Sequence, residues 1–437
     1  MEETTRALLN FLDASPSCYH AVHQIKTTLK DAGYQELLEF QPWELVPGGQ
    51  YYAVRGDSSI IAFRVPKGSK EEIGGFQLAA AHSDSPSLKL RENAEVPSAG
   101  NCIRLGVEPY GGMIYRSWLD RPLSVAGRVV VRTENGIETR LVNVDRDLLV
   151  IPSLAIHMNR KVNQGVALNP AVDLLPLFGS GETGRFRALI AETAEVAEED
   201  LLSTELFLYP RTKGTCFGAE EEFVASPRLD DLQCAFGCLQ GFLQASKENS
   251  NVPVLCIFNN EEVGSGTRQG ADSTFLTDVL SRIGSALGCT EQEYLSLLAG
   301  SFMVSADNAH AIHPAHPEMA DKQEHPVLNG GIVIKYNAGQ HYTTDALSSA
   351  LFSEVCRSAA VPVQRYSNRA DLPGGSTLGN ISTAHLSIPA VDIGLPQLAM
   401  HACYEVAGAR DTAYLVQAIK EFFGKSFRRH GENGYFL

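Results

Sequence analysis

Short, unbroken apolar runs that each stop at a metal-type ligand constrain this chain more than any other feature. "GFQLAAA" stops at His82-Ser83-Asp84, and "VPVLCIF" stops at Asn259-Asn260-Glu261-Glu262. "SFMVSA" is followed by Asp307 and "PAVDIGLPQLAM" by His401, while Asp230-Asp231 stands just ahead of a helical pattern that begins at 232. Runs that are apolar throughout suit strands buried on both faces. In open α/β sheets, ligands bind beyond the carboxyl ends of the strands. The pattern therefore predicts that these endings converge on one site.

Strand-like and helix-like segments alternate along most of the chain. Strands are expected at 253–258, 301–306, 331–336 and 389–394, with helices between them such as "TTDALSSALFSEVCRSAA". Leu232, Ala235, Phe236, Leu239, Phe242 and Leu243 share one helical face. The N-terminal "SPSCYHAVHQIKTTLKDAGY" reads as a helix capped by Ser15, with Pro16 in its first turn and Gly33 at its end. This alternation predicts an α/β fold, a largely parallel sheet with helices on both faces. The stretch from about 90 to 219 differs. "SVAGRVVVRTENGIETRLVNV" reads as a β-hairpin around Asn135-Gly136. The 437 residues also exceed what one core of about 250–300 residues supports. We expect residues 1–88 and 220–437 to form two parts of one α/β domain, with 89–219 inserted as a β-rich domain.

A net charge of −15 argues against nucleic acid and anionic membranes as partners. The nine cysteines are odd in number and scattered, and Cys256 lies inside an apolar run. They read as reduced core thiols of a cytoplasmic protein. "MEETTRALLNFLDASPS" lacks the basic start and apolar core of a signal peptide. No uncharged apolar stretch approaches the roughly 18–20 residues of a membrane span.

Histidine nitrogen and carboxylate oxygen are the ligands zinc takes, and catalytic zinc keeps a position for water. Two ions about 3.5–4 Å apart need a bridging carboxylate, for which Asp230 is the candidate. His82 and Asp84 are two residues apart and point the same way in extended chain, so Asp84 is placed to accept the other ring N–H of His82. One of Glu261 and Glu262 is expected to bind metal and the other to face the water as general base. The residues alone leave open which does which. Competing patterns are weaker. His310, His313 and His316 recur every three residues, but Pro314 and Pro317 oppose a regular helix. "GSGTRQG" lacks the Gly-Lys-Ser/Thr ending of a phosphate loop. Adjacent glutamates are unlike a glycosidase pair, whose two carboxylates normally come from separate segments.

Taken together, "SPSCYHA", "AHSDSPSLKL", "SPRLDDL", "NNEEVGSGT", "SADNAHAIHP", "DLPGGSTLG" and "AMHACYE" resemble, in order, the aspartyl aminopeptidase family of dinuclear zinc exopeptidases, peptidase family M18. The resemblance runs from about residue 15 to 405. It implies a zinc-peptidase α/β catalytic domain interrupted by a β-rich domain used in oligomer contacts, and a dodecamer built from dimers. It implies two zinc ions per subunit, with cobalt or manganese as substitutes. One ion would be held by His82, Asp230 and Asp307, the other by Asp230, Glu262 and His401. Glu261 would then be the general base and Asp84 the residue that orients His82. His157 resembles a histidine that reaches a neighbouring subunit's active site. Lys335 matches a lysine near the substrate side chain, and Gly374 and Gly375 lie in a substrate-pocket loop. "DLPGGS" departs from the acidic-specific members between Pro373 and the second glycine. Release of N-terminal residues from peptides, acidic ones (Asp or Glu) among them, is thus expected. Two other readings stand beside it: a related dinuclear zinc amidase or deacylase, and a non-catalytic oligomeric binding protein.

Overall fold

Phe76–His82 and Val252–Phe258 lie side by side, parallel and in register from Phe76 opposite Val252 to His82 opposite Phe258, although nearly 170 residues of chain separate them. They form the centre of a nine-stranded sheet in the computed structural model, which describes residues 2–372, 374–375, 377–431 and 434–436. Across the sheet the strands run Gln35–Glu36, Gln50–Arg55, Ser59–Arg64, Val252–Phe258, Phe76–His82, Phe302–Ala306, Ala390–Gly394, Ile332–Tyr336 and Val363–Ser367. The central four are mutually parallel. Their carboxyl ends therefore share one edge, as their endings require.

The sheet is largely parallel, as expected, with two antiparallel interruptions. Ser59–Arg64 runs antiparallel to both its neighbours, and Ile332–Tyr336 runs antiparallel to Ala390–Gly394. Strand direction is set by the connections, which local apolar patterning does not encode. Side chains of the central strands alternate between two cores. Ala79, Ala81, Leu255 and Ile257 face Ile25, Leu239, Phe242, Phe352, Leu415 and Phe422. Leu78, Ala80, Val254, Cys256 and Phe258 face Phe275, Leu280, Ile283 and Leu378. Burial on both faces is why these strands carry no polar alternation. Full burial of one such Leu or Phe contributes about 1.5–3 kcal/mol.

The helix expected to be capped by Ser15 begins two residues later. It spans Cys18–Asp31 with Ser17 at its N-cap, and Gly33 follows its end at φ +87°. Leu229–Gln244 packs against Asp411–Gly424 through two glycines, where a Cβ on Gly241 would lie 2.6 Å from Cβ of Ile419.

A second, six-stranded sheet is built from Ser87–Ser98, Cys102–Tyr110, Leu123–Thr133, Gly136–Asn143, Leu177–Ser180 and Leu201–Pro210, with every pairing antiparallel. The hairpin loop is Glu134-Asn135, with Thr133 paired to Gly136, so Gly136 opens the second strand. This sheet has its own core, including Leu88, Leu105, Val125, Val129 and Ile190, and Cys403 of the later chain joins it. Thr215–Phe217 belongs instead to a five-stranded sheet with Glu405–Gly408. The insertion thus interrupts a strand-to-helix crossover: the chain leaves at His82, forms the second sheet, then returns through Leu229–Gln244 to the adjacent strand. No helix among the described residues is long and apolar enough to cross a membrane.

Candidate metal centre

The carboxyl ends of the parallel strands gather the predicted ligands. Beyond Phe258 the chain reverses at Asn260, which takes a left-handed φ of 61°. Asparagine tolerates that conformation better than most residues. Its Oδ1 accepts from Thr267 Oγ1 and Gln269 Nε2, both at 2.9 Å, and its Nδ2 donates to the Tyr110 hydroxyl at 2.8 Å. The turn so fixed leads into one 3₁₀ turn, Glu261–Val263, which aims both glutamates back over the sheet.

Asp230 lies at the centre. Its Oδ1 is 3.7 Å from His82 Nε2, and its Oδ2 is 3.4 Å from His401 Nε2. Glu262 Oε2 is also 3.4 Å from His401 Nε2. Each histidine directs its other ring nitrogen to a main-chain carbonyl, Nδ1 of His82 to Asp84 at 3.1 Å and Nδ1 of His401 to Gly112 at 2.8 Å. A carbonyl only accepts, so each Nδ1 carries the proton and each Nε2 is left as the ligand position. Three groups of side chains each offer ligand atoms within 4.8 Å of one another: His82 with Asp230, Asp231 and Asp307; His82 with Glu261 and Glu262; and Asp230 with Glu262 and His401.

The electrostatics call for positive charge. Burial pushes the Glu261 carboxyl up to about 7, with Asp307, Asp84 and Asp230 adding to the effect against the pull of His82. Burial and the charge of Asp230 hold Glu262 well above the carboxylate range, and burial raises Asp307 to about 6. Burial works against charge on His82, yet Asp231, Asp84 and Glu261 keep its imidazole well above its ordinary value. Asp230 Oδ1, Asp231 Oδ1 and Glu262 Oε1 are buried without any hydrogen-bond partner. Orphaned anionic oxygens are costly. A divalent cation would satisfy them, and a mixed imidazole and carboxylate set fits zinc, with cobalt and manganese as neighbours in preference.

Two acids to which the sequence assigned no role brace the cluster. Asp231 Oδ2 accepts the main-chain N–H of His82 at 3.0 Å. Glu405 accepts the N–H of Asp230 at 3.0 Å and that of His401 at 2.7 Å. Position offered a hint, since Asp231 adjoins Asp230 and Glu405 follows His401 by four residues. The donors they meet come from distant chain. Asp84 does more than orient His82. Its carboxylate, 3.4 Å from His82 Nδ1, accepts from the Tyr110 hydroxyl at 2.7 Å and from the N–H groups of Glu261 and Glu262 at 3.2 Å.

The inserted chain reaches into the centre through residues 110–117. Gly111, at φ +77°, lies so close to Glu262 that a Cβ there would be 3.1 Å from the glutamate's Cβ. Gly112 holds the His401 ring, Ile114 N–H donates to His401 O at 3.0 Å, and Ser117 Oγ accepts from Cys403 N–H at 2.8 Å.

A cavity of about 330 Å³ opens over the cluster and is lined also by His310, Lys335, Tyr342, Tyr366 and Gly375. Lys335 is buried, with Nζ donating to Asn308 O at 2.8 Å, 3.8 Å from Asp307 Oδ2 and over the Tyr342 ring. Gly374 lies beside Asn368, outside that lining, and Pro373 and Ser376 of the same loop fall outside the described residues. His157 is exposed on the inserted chain and lines neither this cavity nor the cluster. His313 and His316 stand with rings 5.2 Å apart on the surface, and with His310 they form none of the three ligand groups.

The family model described as aminopeptidase I zinc metalloprotease (M18) matches residues 11–423. A Clostridium novyi protein named probable M18 family aminopeptidase 2 is 44% identical over 423 residues, covering 95% of this chain and 97% of its own. An Ectopseudomonas mendocina protein of the same name is 40% identical over 430 residues, covering 97% and 98%. Among solved structures, the cryo-EM structure of an Ape4 and Nbr1 complex superposes with a TM-score of 0.93 at 36% identity, covering 96% of this chain and 85% of that one. The S. cerevisiae mApe1 dodecamer superposes with a TM-score of 0.85 at 26% identity, covering 96% of both chains.

Proposed function

Since the chain belongs to the M18 family of zinc aminopeptidases, we propose that it removes N-terminal residues from peptides at a two-zinc centre formed by His82, Asp230, Glu262, Asp307 and His401. The observation that carries this reading is the position of Asp230, one oxygen toward His82 and the other toward His401, shared by two ligand groups. His82, Asp230 and Asp307 would hold one ion, and Asp230, Glu262 and His401 the other. Bound zinc supplies Lewis acidity, which polarises a carbonyl and lowers the pKa of water.

The chain's own groups supply the rest. Glu261 lies among the ligands without being needed as one, so it serves as general base: its carboxylate takes the proton of the attacking water and passes it to the leaving amine. Asp84 holds the main chain of Glu261 and Glu262 and fixes the His82 ring, which keeps base and ligands in register. Lys335, beside Asp307 in the same cavity, is the cation that an acidic first side chain would meet, and Gly375 leaves room for it.

The same reading makes the protein a cytoplasmic homo-oligomer, a dodecamer like the mApe1 assembly. All nine cysteines are free thiols, which supports a reducing compartment. His157 lies between Ile156 and Met158, 53% and 76% exposed, with Leu154 57% exposed nearby. Apolar surface of that kind favours burial against another subunit, and His157 would then serve a neighbour's site.

The test is Glu261→Gln assayed on a panel of dipeptide substrates together with metal analysis. The variant is expected to retain its zinc and lose roughly 10²–10⁴-fold in kcat. Full turnover in the variant, or one metal per subunit in the active wild type, would refute the assignment.

A further inference from the structure

The run "PAVDIGLPQLAM" carries one charge, and the fold buries it in the middle of the large sheet. Asp392 lies on Ala390–Gly394, opposite Ser305 of Phe302–Ala306, and is fully buried. Its neighbours Val391 and Ile393 belong to the apolar core. A carboxylate in such a place is costly unless it is well hydrogen-bonded. Asp392 meets that cost through two separate segments of chain. Its Oδ2 accepts the main-chain N–H of Thr343 at 2.5 Å and the Thr343 hydroxyl at 2.7 Å, and its Oδ1 accepts the Thr377 hydroxyl at 2.6 Å. Its own N–H donates to Thr344 Oγ1 at 2.9 Å.

Both segments wall the metal cavity. Thr343 adjoins Tyr342, which lines that cavity, and Thr377 lines it directly. Tyr342 in turn lies against Lys335 and, with ring centroids 6.5 Å apart, against Tyr366 of the same wall. Thr377 stands at the N-cap of Leu378–His385, where a threonine ordinarily accepts from the first N–H groups of its helix. It makes no such bond, and its hydroxyl is turned to Asp392 instead. Gly379 allows the close approach: a Cβ there would lie 2.6 Å from Asp392 Oδ1 and 2.9 Å from Oδ2.

We propose that Asp392 is a positioning residue for substrate selection: resting on the aminopeptidase reading above, it ties the Tyr342 and Thr377 walls together and so fixes the pocket in which the first side chain is sorted. Asp392 itself touches neither substrate nor ion. Hydrogen bonds to a charged acceptor are the strong ones, and a pocket discriminates only as well as its walls are held in place.

The test removes the anchors in turn from the zinc-loaded protein. Thr377→Val keeps shape and deletes one anchor, and Asp392→Ala deletes all of them. Asp392→Asn keeps an acceptor for Thr343 and presents an N–H to the Thr377 hydroxyl, which can turn to accept it. Across the dipeptide panel, Asp392→Ala and Thr377→Val are expected to raise KM for the preferred first residue about tenfold, the size of a lost hydrogen bond to a charged group. In both, kcat should stay near the wild-type value and the spread of kcat/KM among first residues should narrow. Asp392→Asn should restore most of the loss, and adding Thr377→Val to Asp392→Ala should raise KM no further. A loss in kcat alone, additive effects in the double variant, or Asp392→Asn as damaging as Asp392→Ala overturns the proposal. Hydrogen exchange reads the tether without turnover. In Asp392→Ala, uptake should rise together in residues 337–345 and 377–385 while Phe76–His82 stays protected. A rise in one segment alone, or one that spreads to the central strands, overturns the proposal as well. If Asp392→Ala does not fold, Thr377→Val and Asp392→Asn carry the kinetic readout, with uptake in Thr377→Val expected to rise in 377–385. A wild type inactive on every dipeptide would instead sink the aminopeptidase reading, and the selection role with it, whatever exchange shows of the tether.

Discussion

The carboxylate of Glu405 accepts the main-chain N–H of Asp230 at 3.0 Å, and its second oxygen accepts the N–H of His401 at 2.7 Å. One side chain thus sets the spacing of two proposed ligands from different parts of the chain. Glu405→Gln keeps the shape but turns one acceptor into a donor facing an N–H. Zinc affinity is expected to fall about 10–100-fold, the usual range for loss of a group that orients ligands. Titration against a competing chelator measures this, and unchanged affinity would show that Glu405 does not set the ligand spacing.

Gly241 makes a packing prediction far from the centre. A Cβ there would lie 2.6 Å from Cβ of Ile419 and 2.9 Å from the main-chain nitrogen of Lys420. The second contact is backbone, which no rotamer change relieves. Gly241→Ala should cost about 1–3 kcal/mol by overpacking, although alanine favours helix. Denaturant unfolding is the readout, and a stabilised variant would mean the two helices are not packed as described.

Asp411 predicts a pH dependence. It is fully buried and accepts the N–H groups of Asn329 at 2.8 Å and Gly331 at 3.0 Å. Burial outweighs those two donors and pushes its carboxyl up to about 7. A raised folded-state pKa means that the native chain holds a proton the unfolded chain has released. The stabilising contribution is therefore complete below about pH 4 and is lost as pH rises through 7, with an upper bound of about 4 kcal/mol. Measured from pH 5 to 8, the wild type should lose stability relative to Asp411→Asn. Parallel curves for the two would contradict this.

The thiols predict a labelling pattern. Cys18, Cys234, Cys238, Cys256, Cys356 and Cys403 are buried, and Cys102, Cys216 and Cys289 are partly exposed. Burial also raises the Cys356 and Cys403 thiols to about 12, which leaves almost no thiolate at neutral pH. A thiol reagent should modify at most three cysteines in the native protein and the remainder only after denaturation. Rapid labelling of Cys234 or Cys256 would place them outside the core.

Much of the centre was legible because its signal is local. An apolar run that ends at or just before His82, Glu262, Asp307 or His401 announces both a buried strand and a candidate ligand beyond it, and these side chains fall in the three groups that come together. Asp231 and Glu405 were not legible as braces. Their roles depend on N–H groups of His82, Asp230 and His401, and whether those donors lie in reach is a property of the fold. The two antiparallel interruptions of the sheet escaped for a similar reason, since pairing direction follows from chain routing. At the first long helix, the Ser15-Pro16 pair suggested the start, but the helix begins at Cys18.

The reach of residues 110–117 has an architectural consequence. A shortened chain that replaced the whole insertion with a tight turn would preserve every strand of the large sheet. It would also remove the carbonyl that fixes the His401 ring, the hydroxyl that anchors Asp84, and the backbone resting on Glu262. Such a miniature would be a folded shell with a slack centre, so the module is a component of the reaction vessel as well as an attachment to it.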